Sequence, residues 1–173
     1  MRKFLDRLYN AAGYLAAFFM IGVLAMVLAS VVGRLAGFNL RGSDAYAGYC
    51  MAAASFLALA GTLKAGTHIR VTMLLGALGD GARRLLEIWA FGLAMLASAY
   101  MTWQLASFAW VSYLFHDVSP GVVRVPLWIP QAAMALGAAI LTVALADELV
   151  TVVYRGRPSF RAAEDAVTLG KEA

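Results

Sequence analysis

Four long stretches of the chain contain no Asp, Glu, Lys, Arg or His residue. They cover residues 8–33, 45–63, 88–115 and 125–146. A helix needs roughly 20 predominantly apolar residues to cross the hydrocarbon core of a bilayer, which is about 30 Å thick. The sequence therefore predicts an all-α integral membrane protein made of a single membrane domain. We place its four transmembrane helices at residues 10–35, 44–64, 85–114 and 126–154.

Composition supports this fold, and the placement of charged residues indicates how the helices are oriented across the membrane. Only 14% of the 173 residues are charged, whereas a soluble domain has about 25%. Eleven of the fourteen Lys and Arg residues lie in the N-terminus, the middle loop and the polar tail at 155–173, and three lie in the other two loops. Because Lys and Arg accumulate on the cytoplasmic side, we expect both termini and the middle loop to be cytoplasmic. The basic residues flank apolar runs, which argues against nucleic-acid binding.

No residue pattern indicates catalysis or a bound cofactor. Ionisable groups within a membrane usually mark an ion or substrate path, and the four stretches contain none. A membrane haem commonly takes two axial histidines, but the predicted topology separates His68 from His116 by about 30 Å. We therefore expect no enzyme activity, no cofactor, no metal site and no small-molecule substrate bound by this chain alone. A membrane anchor of a redox complex stays open as an alternative from another class.

The segment KAGTHIRV, residues 64–71, follows the second apolar stretch. It leads into VTMLLGALGDGARRLLE, where apolar residues are flanked by basic ones. This pattern is typical of a short amphipathic segment lying in the headgroup layer. Lys64, His68 and Arg70 are candidate interfacial anchors. The long side chains of Lys64 and Arg70 can reach toward lipid phosphates, and we expect His68 at the bend after the second span. Membrane lipid is the partner that this segment implies.

Two series of small residues at four-residue spacing are candidate helix-packing sites. Helices in lipid associate through close contact between small side chains. The residues are Ala25, Ala29, Gly33 and Gly37 in the first span, and Ala90, Ala94, Ser98 and Thr102 in the third.

Three local matches give the chain a resemblance to a known family. Arg34 leaves the first span and Asp44 opens the second, HIRV closes the second span at residues 68–71, and SPGVVRVPLWIPQAAMALG enters the fourth at 119–137. In these features the chain resembles the small membrane subunit, of DctQ type, of TRAP (tripartite ATP-independent periplasmic) transporters. The resemblance covers residues 4–154.

The resemblance implies a function that depends on partners. A large multi-span permease subunit would move the substrate, and a periplasmic substrate-binding protein would deliver it. The small subunit would brace the large one and help the binding protein to dock, in sodium-gradient-driven uptake of an organic acid across a bacterial inner membrane. Four charged residues are candidate periplasmic contacts: Arg41, Asp44, Asp117 and Arg124. The nearest alternative is the small subunit of a tripartite tricarboxylate transporter or a generic four-helix assembly factor.

Overall fold

The computed structural model describes residues 2–38, 40–64 and 80–155. They form four helices, which are α1 (Arg2–Leu35), α2 (Ser43–Lys64), α3 (Asp80–Leu114) and α4 (Trp128–Arg155). Each helix contains a segment long and apolar enough to cross a membrane, and these three ranges hold no β-strand beyond an isolated bridge. The predicted all-α fold with four membrane-spanning helices is therefore confirmed. The direction of the termini stays a prediction, and the predicted amphipathic segment between α2 and α3 falls outside the described residues.

The helices differ in length, and two of them start earlier than the predicted spans. α1 has 34 residues and α3 has 35, so each is about 50 Å long at 1.5 Å per residue. α2 has 22 residues and is about 33 Å long, close to the thickness of the hydrocarbon core. α1 and α3 begin ahead of positions 10 and 85, because a helix can continue beyond the point where the hydrocarbon ends.

The helices form an open layer in the spatial order α1, α2, α4, α3. The main contacts pair α1 with α2, α2 with α4, and α4 with α3. As a result, α2 and α4 lie in the middle, where 28% and 44% of their most apolar windows are buried, against 11% for each outer helix. The layer therefore leaves broad apolar faces of α1 and α3 uncovered by the described chain.

The core between α1, α2 and α4 is built from small and branched apolar side chains. It comprises Tyr9, Ala12, Ala16, Leu57, Ala60, Leu63, Ile140, Ala144 and Leu145. Alanine supplies four of these nine residues. Lipid tails are as apolar as leucine, so helices gain from the close approach that small side chains allow.

A close backbone approach joins α2 to α4 at Gly137. A Cβ atom on this glycine would lie 2.7 Å from the Phe56 carbonyl oxygen and 2.8 Å from the Leu57 backbone nitrogen. No side chain fits in that space, so glycine is what allows the two central helices to touch. The contact fixes the α2–α4 seam at the centre of the layer.

α1 and α3 end in the same way, with one residue in the left-handed conformation. Gly37 has φ 81°, and the Phe38 N–H donates to the Gly33 carbonyl. At the end of α3, His116 has φ 54° and the Asp117 N–H donates to the Ser112 carbonyl. Both arrangements are Schellman motifs, which satisfy carbonyls at a helix end.

Candidate interaction surfaces

The described residues contain no group of three or more His, Cys, Asp or Glu that could hold a metal ion. The structure presents three kinds of surface: one set of loop charges, two small-residue series and the outer faces of α1 and α3. The single cysteine, Cys50, is half-buried and its sulfur lies 3.4 Å from the position that a Cβ on Gly22 would occupy. It packs between α2 and α1.

The four charged candidates lie at one end of the layer, which we call the loop end. It consists of the connection between α1 and α2, the first turn of α2, and the connection between α3 and α4. Arg41, Asp44, Asp117 and Arg124 all have exposed side chains there. The structure thus brings the four charges to one surface that a partner can reach.

Backbone hydrogen bonds hold the connection between α3 and α4 in a hairpin-like shape. The Ser119 N–H donates to the Val125 carbonyl over 2.9 Å, and the Leu127 N–H donates to the Asp117 carbonyl over 3.0 Å. These bonds place Asp117 and Arg124 on a fixed loop rather than on a loose one.

The two connections also contact each other. Gly42 has φ 85°, which is costly for any residue with a side chain. A Cβ at this position would overlap the Val123 side chain and lie 3.1 Å from its Cβ. Glycine therefore lets the loop before α2 pack directly on the loop before α4, which joins the two halves of the loop end.

Of the three predicted interfacial anchors, the structure describes only Lys64, which is at the opposite end of the layer. Lys64 is the last residue of α2, while His68 and Arg70 fall outside the described residues. At this end a cavity of about 10 Å³ is lined by Tyr9, Leu63, Ala144, Asp147 and Glu148. That volume is at the lower limit for one water molecule, so the cavity does not offer room for a solute.

The small-residue series of α1 is only partly covered by the chain. Ala25 is exposed and Ala29 is half-buried. Gly33 is buried, but a Cβ there would meet the Phe38 carbonyl oxygen at 3.0 Å and the Leu40 side chain at 3.1 Å, which belong to the connection after α1. Gly37 lies beyond the helix and ends it. Within the described residues, this series therefore packs more against the turn that follows α1 than against another helix.

The series of α3 divides into two parts with different surroundings. Ser98 and Thr102 face α4, where the hydroxyl oxygens of Ser98 and Thr142 are 2.8 Å apart and those of Thr102 and Thr142 are 3.2 Å apart. Thr142 also donates to the Ala138 carbonyl, and Thr102 to the Ser98 carbonyl. Ala90 and Ala94, in contrast, are exposed.

The three hydroxyl groups form a cluster between α3 and α4 in the middle of the membrane-crossing parts. Each hydroxyl is bonded to a neighbouring hydroxyl or to a backbone carbonyl. Interhelical hydrogen bonds of this kind stabilise helix pairs in lipid by about 0.6 kcal/mol on average. Sequence reasoning did not single out Thr142 or Gly137. In the sequence, these two residues stand out only because each interrupts an aliphatic run in the fourth span.

Comparison with known families agrees with these features. The profile of a family described as "Tripartite ATP-independent periplasmic transporters, DctQ component" matches residues 23–155 of the chain. The match therefore covers α2, α3 and α4 completely, together with the last 13 of the 34 residues of α1 and the whole loop end. No individually curated protein matches the chain.

Proposed function

The chain belongs to the DctQ family of the tripartite ATP-independent periplasmic transporters, and we propose that it braces a large permease subunit and helps a periplasmic substrate-binding protein to dock. In this proposal the complex lies in a bacterial inner membrane and uses a sodium gradient to take up an organic acid. The family match is the observation that carries the proposal. It also favours this assignment over the tripartite tricarboxylate and redox-anchor alternatives.

The shape of the molecule supports a bracing role. The helices form an open layer rather than a bundle closed around a path, and the apolar stretches contain no ionisable side chain that would mark one. The hydroxyl groups of Ser98, Thr102 and Thr142 are bonded to each other and to backbone carbonyls. A layer of this kind offers its outer faces to a larger membrane protein.

The loop end supports the docking role. Arg41, Asp117 and Arg124 are exposed on two connections that contact each other through Gly42 and Val123, and Asp44 is exposed in the adjoining first turn of α2. Charged residues of both signs on a fixed loop surface can select and orient a soluble partner. With both termini in the cytoplasm, as the charge distribution predicts, this surface faces the periplasm.

The test is reconstitution with and without this chain. The tagged chain is co-expressed with a large permease subunit from the same genome, and the purified complex is placed in liposomes with the binding protein and a labelled carboxylate. We expect co-purification of the large subunit and sodium-dependent uptake that is lost when this chain is omitted. Uptake by this chain alone, or a chain that purifies without any larger membrane protein, would contradict the proposal.

An absorption spectrum of the same preparation tests the alternative class. A Soret band from bound haem in the purified chain would support a redox anchor and overturn the transporter assignment. The expected spectrum contains only protein absorption.

A further inference from the structure

The outer face of α3 carries a row of large exposed side chains, which we call the α3 seam. Successive members are three, four or, in one case, seven residues apart, so they lie on one side of the helix, opposite the side that contacts α4. The seam consists of Trp89, Leu93, Leu96, Tyr100, Trp103, Trp110 and Leu114, each at least 60% exposed. It runs the full length of the membrane-crossing part of the helix.

Depth in the membrane separates the members of the seam. The crossing part of α3 is Arg84–Leu114 and that of α4 is Trp128–Tyr154, so their midpoints lie at about residues 99 and 141. The hydrogen bond between Ser98 and Thr142 joins these two midpoints, which shows that they are at the same level. At 1.5 Å per residue, Tyr100 and Trp103 lie within about 6 Å of that level.

Tyr100 and Trp103 are unusual for a surface that faces only lipid. Tyr and Trp concentrate at the membrane–water boundary, about 15 Å from the bilayer centre. Trp89 and Trp110 occupy that ordinary depth, whereas Tyr100 and Trp103 are 66% and 71% exposed near the centre. Lipid tails can neither accept from an indole N–H nor bond a phenol, so these two side chains gain from a protein partner.

A polar pair and nearby alanines add to this argument. The Gln104 Nε2 donates to the Tyr100 hydroxyl over 3.0 Å on the exposed surface, and a hydroxyl that accepts a bond keeps its own hydrogen to donate. Beside the seam, Ala90, Ala94 and Ala97 are exposed. Small residues next to a polar pair are the features that let a second helix approach closely and bond in the bilayer.

The outer face of α1 provides the contrast. The crossing part of α1 is Leu5–Leu35, with its midpoint at about residue 20. The large exposed side chains within four residues of that midpoint are Phe18, Met20, Ile21 and Leu24. They carry no N–H or O–H group, so lipid tails solvate them without loss.

We propose that the α3 seam around Tyr100 and Trp103 is the docking surface for a transmembrane helix of the large permease subunit, and that the outer face of α1 contacts lipid. The occupant is membrane-embedded because the distinctive residues lie near mid-membrane, where a soluble binding protein cannot reach. This inference rests on the proposed function, since that function supplies the larger membrane partner.

Site-specific photocrosslinking in membranes tests the proposal. Benzoylphenylalanine replaces Trp103 in one variant and Phe18 in the matched control, two aromatic positions of similar depth that are 71% and 67% exposed. The chain is co-expressed with the large permease subunit and irradiated before solubilisation. We expect an adduct with the large subunit from position 103 and at least tenfold less from position 18.

The outcomes that overturn the proposal are distinct from failure of the proposed function. Three results would each refute the α3 seam as the docking surface. They are an equal or stronger adduct from position 18, an adduct with the mass of two copies of this chain, and an intact complex without an adduct at position 103. If the unmodified chain does not co-purify with the large subunit at all, the proposed function itself fails.

A second measurement uses conservative substitutions. Trp103→Leu keeps an apolar side chain at an exposed position, so the isolated chain should fold as before. We expect it to lower the amount of large subunit retained on the tagged chain by about tenfold or more, as for a tryptophan at the centre of an interface. Phe18→Leu should leave retention unchanged, and equal retention in the two variants would contradict the proposal.

Discussion

Replacing Gly137 by alanine should separate the two central helices. The added Cβ would lie 2.5 Å from the Phe56 carbonyl carbon, whereas ordinary contacts begin at 3.4 Å. The helices must therefore move apart locally by about 0.9 Å, because the atoms in the way belong to the backbone and cannot rotate aside. A gap of that size forfeits a quarter to a half of the dispersion energy of the atoms that line it.

The expected magnitude follows from two opposing effects. Overpacking costs roughly 1–3 kcal/mol, and a clash with backbone belongs at the upper end of that range. Replacing glycine by alanine within a helix returns about 1 kcal/mol. We therefore expect Gly137→Ala to lower the free energy of unfolding by about 2 kcal/mol, which is roughly a 30-fold fall in the ratio of folded to unfolded protein.

Gly48→Ala is the matched control for this substitution. Gly48 lies inside α2, and a Cβ there would meet nothing within 4 Å, so only the gain in helix propensity applies. Equilibrium unfolding of both variants in mixed detergent and dodecyl sulfate micelles, followed by circular dichroism, gives the two free energies. If the stabilities of Gly137→Ala and Gly48→Ala were equal, the reasoning about the α2–α4 seam would be refuted.

Three further substitutions can be measured in the same way. His116→Gly should raise the free energy of unfolding by about 1 kcal/mol, because His116 holds a left-handed conformation (φ 54°) that glycine adopts without strain; an unchanged value would contradict the assigned end of α3. Thr142→Val keeps the shape of the side chain but removes the hydroxyl next to Ser98 and Thr102. It should lower the free energy of unfolding by about 0.6 kcal/mol and at most by about 2 kcal/mol. A stabilised variant would count against the hydroxyl cluster. Gly42→Ala combines a positive φ with an overlap on Val123. It should lower the free energy of unfolding by about 2 kcal/mol and weaken binding of the periplasmic partner. Full stability together with full binding would show that the two connections do not pack.

The helices could be predicted from the sequence because the bilayer imposes a simple length requirement. A stretch such as 88–115 has no other stable form in hydrocarbon than a helix, and α3 contains it almost entirely. The spatial order of the helices could not be predicted in the same way. In a soluble protein the apolar face of a helix indicates the core, but here residues on every side of α1 and α3 are apolar, so hydrophobicity does not distinguish lipid from a neighbouring helix.

The interaction surfaces could be predicted only in part, for a related reason. Loop charges such as Asp117 are recognisable in the sequence because they lie between long apolar stretches. The structure places them together at the loop end. Thr142 and Gly137 carry specific contacts to α3 and α2, yet each is a single residue within an aliphatic run. Their roles depend on what faces them across the seam, and that information lies in helices distant in the sequence.

The α2–α4 seam also bears on how the subunit is assembled. α1 pairs with α2 and α3 with α4, so each pair is an antiparallel hairpin of neighbouring segments that can enter the membrane as a unit. The hairpins meet where Leu57 contacts Gly137, residues about 80 positions apart in the chain, so this contact can form only after the first part of α4 has been synthesised. A disruptive substitution at Gly137 would therefore leave two inserted hairpins that fail to join. A quality-control protease would then meet correctly inserted helices in an unassembled subunit rather than an unfolded chain.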